Sequence, residues 1–305
     1  MLSNQTKSLQ AMLALHLAVF LFGSAGVLGK ALAVSSLLLV FGRTLFAALS
    51  LLPVLLVQRQ LSLRGIPKTV ILCGVLLAVH WLSFFASLKV APVAYGLMGF
   101  ASFPLFVAWL EPWLFKEKRL GRDWIAALAV VIGMVVMVSD TGSLADGLPG
   151  QGDAVLGLLL GVVSGLSFAL LALVNRWQSE DIAPFKLAFL QNSVACLSLL
   201  PFVIFYDTVL NVPMDVWWGL ILLGAVFTAL SHGLFMFSLR HVSTRFASLM
   251  TSLEPVYGIV LAFFILNEVP SVQAMIGCVI VLLATTVATY WHSRADFSDA
   301  NKNGL

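Results

Sequence analysis

The chain has 305 residues, 60% of them apolar and only 10% charged, with a formal net charge of +3 and a mean hydropathy of +1.02. Soluble domains carry roughly 25% charged residues. This composition therefore excludes a single water-soluble globule, because the polar groups are too few to cover so much apolar side chain. A bilayer accepts that surface instead. Cys73, Cys196 and Cys278 each lie inside a long apolar run and form no Cys-x-x-Cys pair. Neither a disulfide framework nor a zinc site is expected, and no metal or other cofactor.

The opening residues MLSNQTKSLQ are polar, and the apolar stretch after them lacks a small-x-small cleavage site. They read as the lead-in to a retained first helix rather than as a cleaved signal peptide. A bilayer core takes about 20 apolar residues per helix. Such runs occur, in chain order, near Leu9–Leu28, Ser36–Val57, Thr69–Leu88, Ala91–Phe115 and Trp124–Ser139. After a Gly-rich polar connector they continue with Ala154–Val174, Phe185–Phe205, Val216–Leu239, Phe246–Leu266 and Val272–Trp291. The runs are continuously apolar rather than alternating, which points to helices and not to barrel strands. The expected fold is an all-α integral membrane protein of ten transmembrane helices.

Basic residues set the orientation. With the N-terminus inside, the inner segments hold Lys7; Arg59, Arg64, Lys68; Lys116, Lys118, Arg119, Arg122; Arg176, Lys186; Arg240, Arg245; and Arg294, Lys302. The outer segments hold only Lys30 and Lys89, and carry acids such as Asp140, Asp146, Asp153, Asp207 and Asp215. Both termini are expected in the cytoplasm, with the protein in the cell (inner) membrane. Topology accounts for the basic loops, so no nucleic-acid partner is expected.

An internal repeat is visible. Pro104 and Pro255 lie 151 positions apart, as do Ser87 and Ser238, Lys89 and Arg240, and Glu117 and Glu268. In the second helix of each half, Leu49–Pro53 matches Leu197–Pro201 at an offset of 148. The expected units are residues 9–139, a connecting loop over 140–153, residues 154–291 and a cytoplasmic tail over 292–305. Five helices per unit is an odd number, so the two copies enter the membrane in opposite orientation. Inverted repeats recur among secondary transporters, where the two copies exchange conformations to expose a midplane site to either side.

Particular residues now carry a resemblance. They are the stretch from His80 to Lys89, the run Ala94–Pro104, Phe115–Lys118, Phe235–Arg240, Ser252–Pro255, Leu266–Glu268, and Phe41–Leu45 around Arg43. Together they make the chain similar to the EamA family of the drug/metabolite transporter superfamily over about residues 10–290. The first helix departs from the family in having Phe22 before Gly23, where Trp is more frequent. The resemblance implies export of metabolites such as amino acids or related small compounds.

Several polar and aromatic residues lie within the apolar runs, where each needs a partner or a cavity. Glu254 falls close to the midplane and is the leading candidate to bind a cationic group or carry a coupling proton. Arg43 suits an anionic group such as a carboxylate, with a purely structural pairing as the equal alternative. His80 and Trp81, with Phe84 a turn further on, mark one face of the third helix. His232 is nearly the repeat mate of His80. Tyr257 and Thr251 share a face with Glu254. Gln191 and Asn192 are amides that either bond substrate or bond neighbouring helices. Pro104 and Pro255 read as paired breaks in two helices that line the path and flex. Lys30 and Lys89, at outer helix ends, read as snorkelling. The stripe Gly157, Gly161, Gly165 favours close helix packing, within the chain or between copies.

A secondary transporter acting by alternating access on a small-molecule substrate is the reading these features favour. Proton coupling, substrate exchange and facilitated diffusion stay open, as do a monomer and a homodimer. A channel, or a receptor or scaffold without transport, is less well matched, because the polar residues are isolated rather than continuous. An intramembrane enzyme built on Ser164 or Ser231 with His80 or His232 is the remaining rival. No nucleophile motif surrounds either serine, so the chain is not expected to be an enzyme.

Overall fold

The computed structural model describes residues 2–62, 65–115, 121–139, 153–178, 182–206, 212–239, 250–251 and 253–302. Among these residues all regular structure is helical. The basic segments 116–120 and 240–249 and most of the 140–153 connector lie outside the described residues. The helices are α1 Leu2–Ala31, α2 Ser36–Val57, α3 Thr69–Val90, α4 Val93–Phe100, α5 Phe103–Phe115, α6 Gly121–Ser139, α7 Ala154–Gln178 and α8 Pro184–Tyr206. They continue with α9 Met214–Gly224, a π-helical turn Ala225–Leu230, α10 Ser231–Leu239, α11 Glu254–Leu266 and α12 Val272–Lys302.

Among the described residues seven stretches are long and apolar enough to cross a bilayer, and Ile125–Met137, Glu254–Leu266 and Val272–Val287 are shorter apolar helices. The outward surface is correspondingly greasy. Leu72, Val75 and Val79 on α3, Leu128, Val131 and Val135 on α6, and Phe263 and Phe264 on α11 are all exposed. That surface suits lipid tails. The protein is a multi-pass membrane protein.

Local chemistry sets several helix ends. The Ser35 hydroxyl accepts a hydrogen bond from the Leu38 amide at 3.0 Å and caps α2. Asn267 adopts a left-handed conformation (φ 56°) and ends α11. The apolar run at 91–115 is not one helix but two. It breaks at Ala101–Ser102, where the Ser102 amide and hydroxyl both turn back to the Gly99 carbonyl. Pro104 has no amide hydrogen to return to Phe100, so α4 ends at Phe100 and a new helix starts. Pro255 likewise takes the second position of its helix, where its missing donor leaves nothing unpaired. The two prolines therefore open helices after an interruption rather than bend them at mid-length.

Helix α3 packs on α7 and α8, α2 on α8 and α9, α1 on α10 and α11, and α6 on α12. The glycine stripe of α7 lies against α4 within the chain. A Cβ on Gly161 would sit 2.6 Å from the Gly96 carbonyl oxygen, and one on Gly157 would overlap the Ala91 methyl. Ser87 adds a hydrogen bond to the Gly157 carbonyl at 2.6 Å. In lipid, such close van der Waals contact replaces the hydrophobic drive that is missing between apolar helices.

Candidate functional site

Arg43 is the largest fully buried side chain, with no exposed surface. Helix α2 sends it inward between α3 and the π-helical turn. Its guanidinium carbon lies 3.3 Å from the centroid of the Trp81 ring and 5.4 Å from that of Phe85. A cation against an aromatic face is attracted by the ring quadrupole, the more so away from water. Its Nε donates to Thr228 Oγ1 at 3.0 Å. Nη1 and Nη2 have no hydrogen-bond partner among the described residues.

Thr228 holds its place because of the π-helical turn. Its hydroxyl donates to the Leu223 carbonyl five residues back at 2.8 Å, the wider register of a π-turn. That geometry leaves the Thr228 oxygen free to accept from Arg43. The Thr228 carbonyl meets His232 Nδ1 at 2.8 Å. A carbonyl can only accept, so this bond places a proton on Nδ1 and leaves Nε2 as the acceptor of the neutral ring. The Phe22 ring stands edge-on to His232 with centroids 5.3 Å apart.

Glu254 comes from the other side of the site. It is half-buried at the start of α11, beside Gly23 of α1. Its charge and that of Arg43 act on one another, yet the two form no ion pair. Arg43 also senses His80 and His232. Helices α2, α3, α10 and α11 thus bring His80, His232 and Glu254 within electrostatic reach of Arg43. Tyr257 is a turn further along α11, its ring edge-on to Phe20 at 5.7 Å between centroids. Thr251 is half-buried just before the α11 start.

His80 sits in an aromatic cluster. Its ring centroid lies 4.5 Å from Trp81, 4.9 Å from Phe168, 5.3 Å from Phe100 and 6.2 Å from Phe84. Its Nδ1 meets the Ser164 hydroxyl at 2.8 Å and the Ser164 carbonyl at 3.2 Å. This is the Ser–His contact that an intramembrane hydrolase would use. Ser164 is 0% and His80 2% exposed, and their contact joins α3 to α7.

The structure does not join Gln191 and Asn192 to this group. Gln191 Nε2 donates to Asn175 Oδ1 at 2.6 Å, tying α8 to α7, and Asn192 Nδ2 returns to the Ala188 carbonyl of its own helix. Gln191 thus makes an interhelical bond, whereas Asn192 bonds only within α8 and its Oδ1 has no hydrogen-bond partner among the described residues. Pro255 is buried beneath Glu254. Pro104 opens α5, the segment that follows the cluster residue Phe100.

The outer lysines do not merely snorkel. Lys30 Nζ pairs with Glu268 Oε1 at 2.5 Å and donates to the Ala91 carbonyl at 2.5 Å. Glu268 Oε2 accepts from the Val93 amide at 2.7 Å, at the first turn of α4. Lys89 donates to the Lys30 carbonyl at 3.2 Å and to the Leu32 carbonyl. This cluster ties the C-terminal ends of α1 and α3 and the residue pair after α11 to the start of α4. The sequence reading missed it, and missed Thr228 and Phe168, while Ser164 entered that reading only as a rival nucleophile. Glu268 was marked only by its 151-residue offset from Glu117 and by the resemblance at Leu266–Glu268. Nothing in the sequence announces the π-turn.

These features define a polytopic helical membrane protein with charged and aromatic groups converging between its helices. The EamA-like transporter family model matches residues 9–139 and again residues 155–290. The chain belongs to that family. It is 25% identical over 285 residues to an uncharacterized transporter, YxxF, of Bacillus subtilis, covering 92% of this chain and 89% of that one. It is 25% identical over 263 residues to an S-adenosylmethionine uptake transporter of Rickettsia bellii, covering 84% of each. A solved structure superimposes with a TM-score of 0.63 over 92% of this chain and 97% of its own, at 19% identity, which shows a shared fold.

Proposed function

We propose that this chain is a secondary transporter that moves a small metabolite, an amino acid or related compound, out of the cell by alternating access. One observation carries the reading. Arg43, from the first part of the chain, is fully buried with Nη1 and Nη2 lacking a hydrogen-bond partner among the described residues, and the half-buried Glu254, from the second part, forms no ion pair with it. Unpaired charge at that depth is expensive and marks a pathway or a binding site.

The proposed architecture is ten spans as two inverted five-helix units, over residues 9–139 and 154–291, joined by 140–153 and followed by the 292–305 tail. Two matches of one family model support the duplication. The pairing of helices has the matching form: α3 on α7 is answered by α10 on α1, and α4 on α7 by α11 on α1. Ser87 bonded to the Gly157 carbonyl is answered by Ser238 bonded to the Ala11 carbonyl at 2.9 Å. The basic inner segments support an inner-membrane location with both termini cytoplasmic. The Arg43, Trp81, Glu254 and His232 group is the proposed site, with Tyr257 and Thr251 on the α11 side and His80 and Phe84 supporting Trp81. Gln191 and Asn192 belong to the helix contacts.

A second reading comes from the Rickettsia relatives named for S-adenosylmethionine uptake. It keeps the site and reverses the direction, and an amino acid joined to an aromatic nucleoside would use both the charges and the rings. Flux into and out of proteoliposomes decides between them, measured for labelled amino acids, amines, nucleobases and S-adenosylmethionine with and without a pH gradient. Saturable flux of an amino acid supports the first reading, and flux of S-adenosylmethionine the second. A wild-type protein that moves none of them refutes transport of this class.

A further inference from the structure

We propose that Glu268 is the bolt of a gate: it engages the joined ends of α1, α3 and α4 in the state seen here, and the end of α11 that carries it swings away when the path opens there; the gating role rests on the transport reading above. The receiving side is built as one fixed piece. Lys30, in the last turn of α1, donates to the Ala91 carbonyl just past α3 at 2.5 Å. Lys89, in the last turn of α3, donates back to the Lys30 carbonyl at 3.2 Å and to the Leu32 carbonyl. Each helix thus places a cation on the carbonyls at the other's C-terminal end, which lack partners within their own helix and carry the negative end of its dipole. Close packing joins the same elements. A Cβ on Gly29 would overlap the Phe85 ring, and one on Gly96 would lie 2.6 Å from Ser87 Oγ.

Helix α11 is held differently. Of its 13 residues only Pro255, Gly258 and Ala262 are buried, against 11 of 22 on α3. It crosses α1 closely at Gly23, where a Cβ would lie 2.6 Å from the Glu254 carbonyl oxygen and 3.1 Å from the Gly258 nitrogen. A Cβ on Gly258 would overlap the Leu97 side chain of α4, so both neighbours close on the same turn. From Gly258 to Leu266 the helix runs on for about 12 Å, with Phe263, Phe264 and Ile265 exposed on the way. Asn267 then takes the left-handed conformation, and the Glu268 amide returns to the Ala262 carbonyl at 3.3 Å. Glu268 is therefore fixed to α11 and travels with it. Its carboxylate meets the corner at Lys30 Nζ (2.5 Å) and at the Val93 amide (2.7 Å), in the first turn of α4, where amides lack helical partners. A helix gripped at one turn and bolted at its end tilts about that turn once the bolt is drawn. Lys30 and Glu268 each keep 19% of their side-chain surface, so water replaces the lost partners and the step is reversible. Glu254 stands at the opposite end of the same helix, so one rigid element joins the candidate site to the bolt.

The test uses the full-length protein in lipid nanodiscs and a water-soluble maleimide, with mass spectrometry reading which cysteine reacts. Val93→Cys reports on the bolt, since Val93 is fully buried where Glu268 engages. Leu88→Cys reports on the seam of α1 and α3, where Leu88 is fully buried against Gly26, and the natural, buried Cys73 is the internal control. Adding Glu268→Gln is expected to speed alkylation of Val93→Cys by about fivefold or more and to leave Leu88→Cys and Cys73 unchanged. Lys30→Met breaks the same pair from the corner and is expected to act alike, so a poorly folded Glu268→Gln does not decide the matter. Unchanged alkylation of Val93→Cys in both variants overturns the bolt, and faster alkylation of Leu88→Cys along with it overturns the fixed corner. Flux of the labelled panel named above is measured in parallel in proteoliposomes. Where wild type carries a compound, Glu268→Gln is expected to lower its maximal rate by about threefold or more, because this end must close again in each cycle; an unchanged rate with faster alkylation overturns the gating role. A wild type that carries none of the panel removes the transport reading and the gating role with it, while the alkylation rates still decide whether Glu268 is a bolt.

Discussion

Replacing Glu268 with glutamine should loosen the outer end of the protein. In the structure one carboxylate oxygen lies 2.5 Å from Lys30 Nζ and the other accepts from the Val93 amide at 2.7 Å. Both side chains of the pair retain 19% of their surface, so solvent screens part of the interaction. Breaking a fully buried pair costs about 3–5 kcal/mol, and an exposed pair contributes about 0–1 kcal/mol. A pair four-fifths buried, with Lys30 still bonded to the Ala91 carbonyl, should fall between, at about 1–2 kcal/mol. That corresponds to roughly a 5- to 30-fold rise in the population in which these helix ends are parted. Hydrogen exchange of the peptide spanning 91–97, in lipid nanodiscs, reads this directly, because the Val93 amide is itself part of the cluster. Glu268→Gln should speed exchange there by about tenfold and leave α6 and α12 unchanged. Lys30→Met should do the same, and the double variant should add little to either single one. Unchanged exchange in Glu268→Gln, or fully additive effects, would refute the idea that this pair holds the outer end shut.

Glu254→Gln should insert and fold normally but cut flux by on the order of tenfold or more, since a charged partner is exchanged for a neutral one; flux at the wild-type rate would remove Glu254 from the site. Thr228→Val keeps the side-chain shape and removes the acceptor for Arg43 Nε. It should raise the half-saturation concentration by about tenfold with less effect on the maximal rate, as initial rates over a substrate series would reveal. Gly161→Ala forces a methyl against the Gly96 carbonyl, which should cost about 1–3 kcal/mol and lower the thermal midpoint by a few degrees. An unchanged midpoint would mean that α7 and α4 have room to separate.

Much of the fold was legible because a bilayer imposes a simple rule. Backbone groups must be satisfied within each span, so a long apolar run is a helix, and the expected bounds of α2 agree with the structure at Ser36–Val57. The family was legible from runs of residues such as His80–Lys89. Individual polar residues were legible only as problems. A buried charge such as Arg43 or Glu254 stands out against hydrocarbon, but the sequence does not say which helix answers it. Arg43 meets Trp81 on the next helix and Thr228 185 positions away, and neither contact has a local signature. Gln191 is tied to Asn175, whereas Arg43 is left with two open donors.

The sequence alone determined that this protein lives in a membrane and which family it belongs to, and it located bounds such as Ser36–Val57, since those follow from side-chain hydropathy and local runs of residues. Only the tertiary structure decided that the apolar run at 91–115 breaks at Ala101–Ser102, that the eighth apolar run carries a π-turn, that the α7 glycines serve packing within the chain, and that Lys30 is bound to Glu268 rather than free in the interface. Those outcomes depend on which surfaces come within hydrogen-bond or van der Waals distance, and that proximity is a property of the packed helices and not of any one of them.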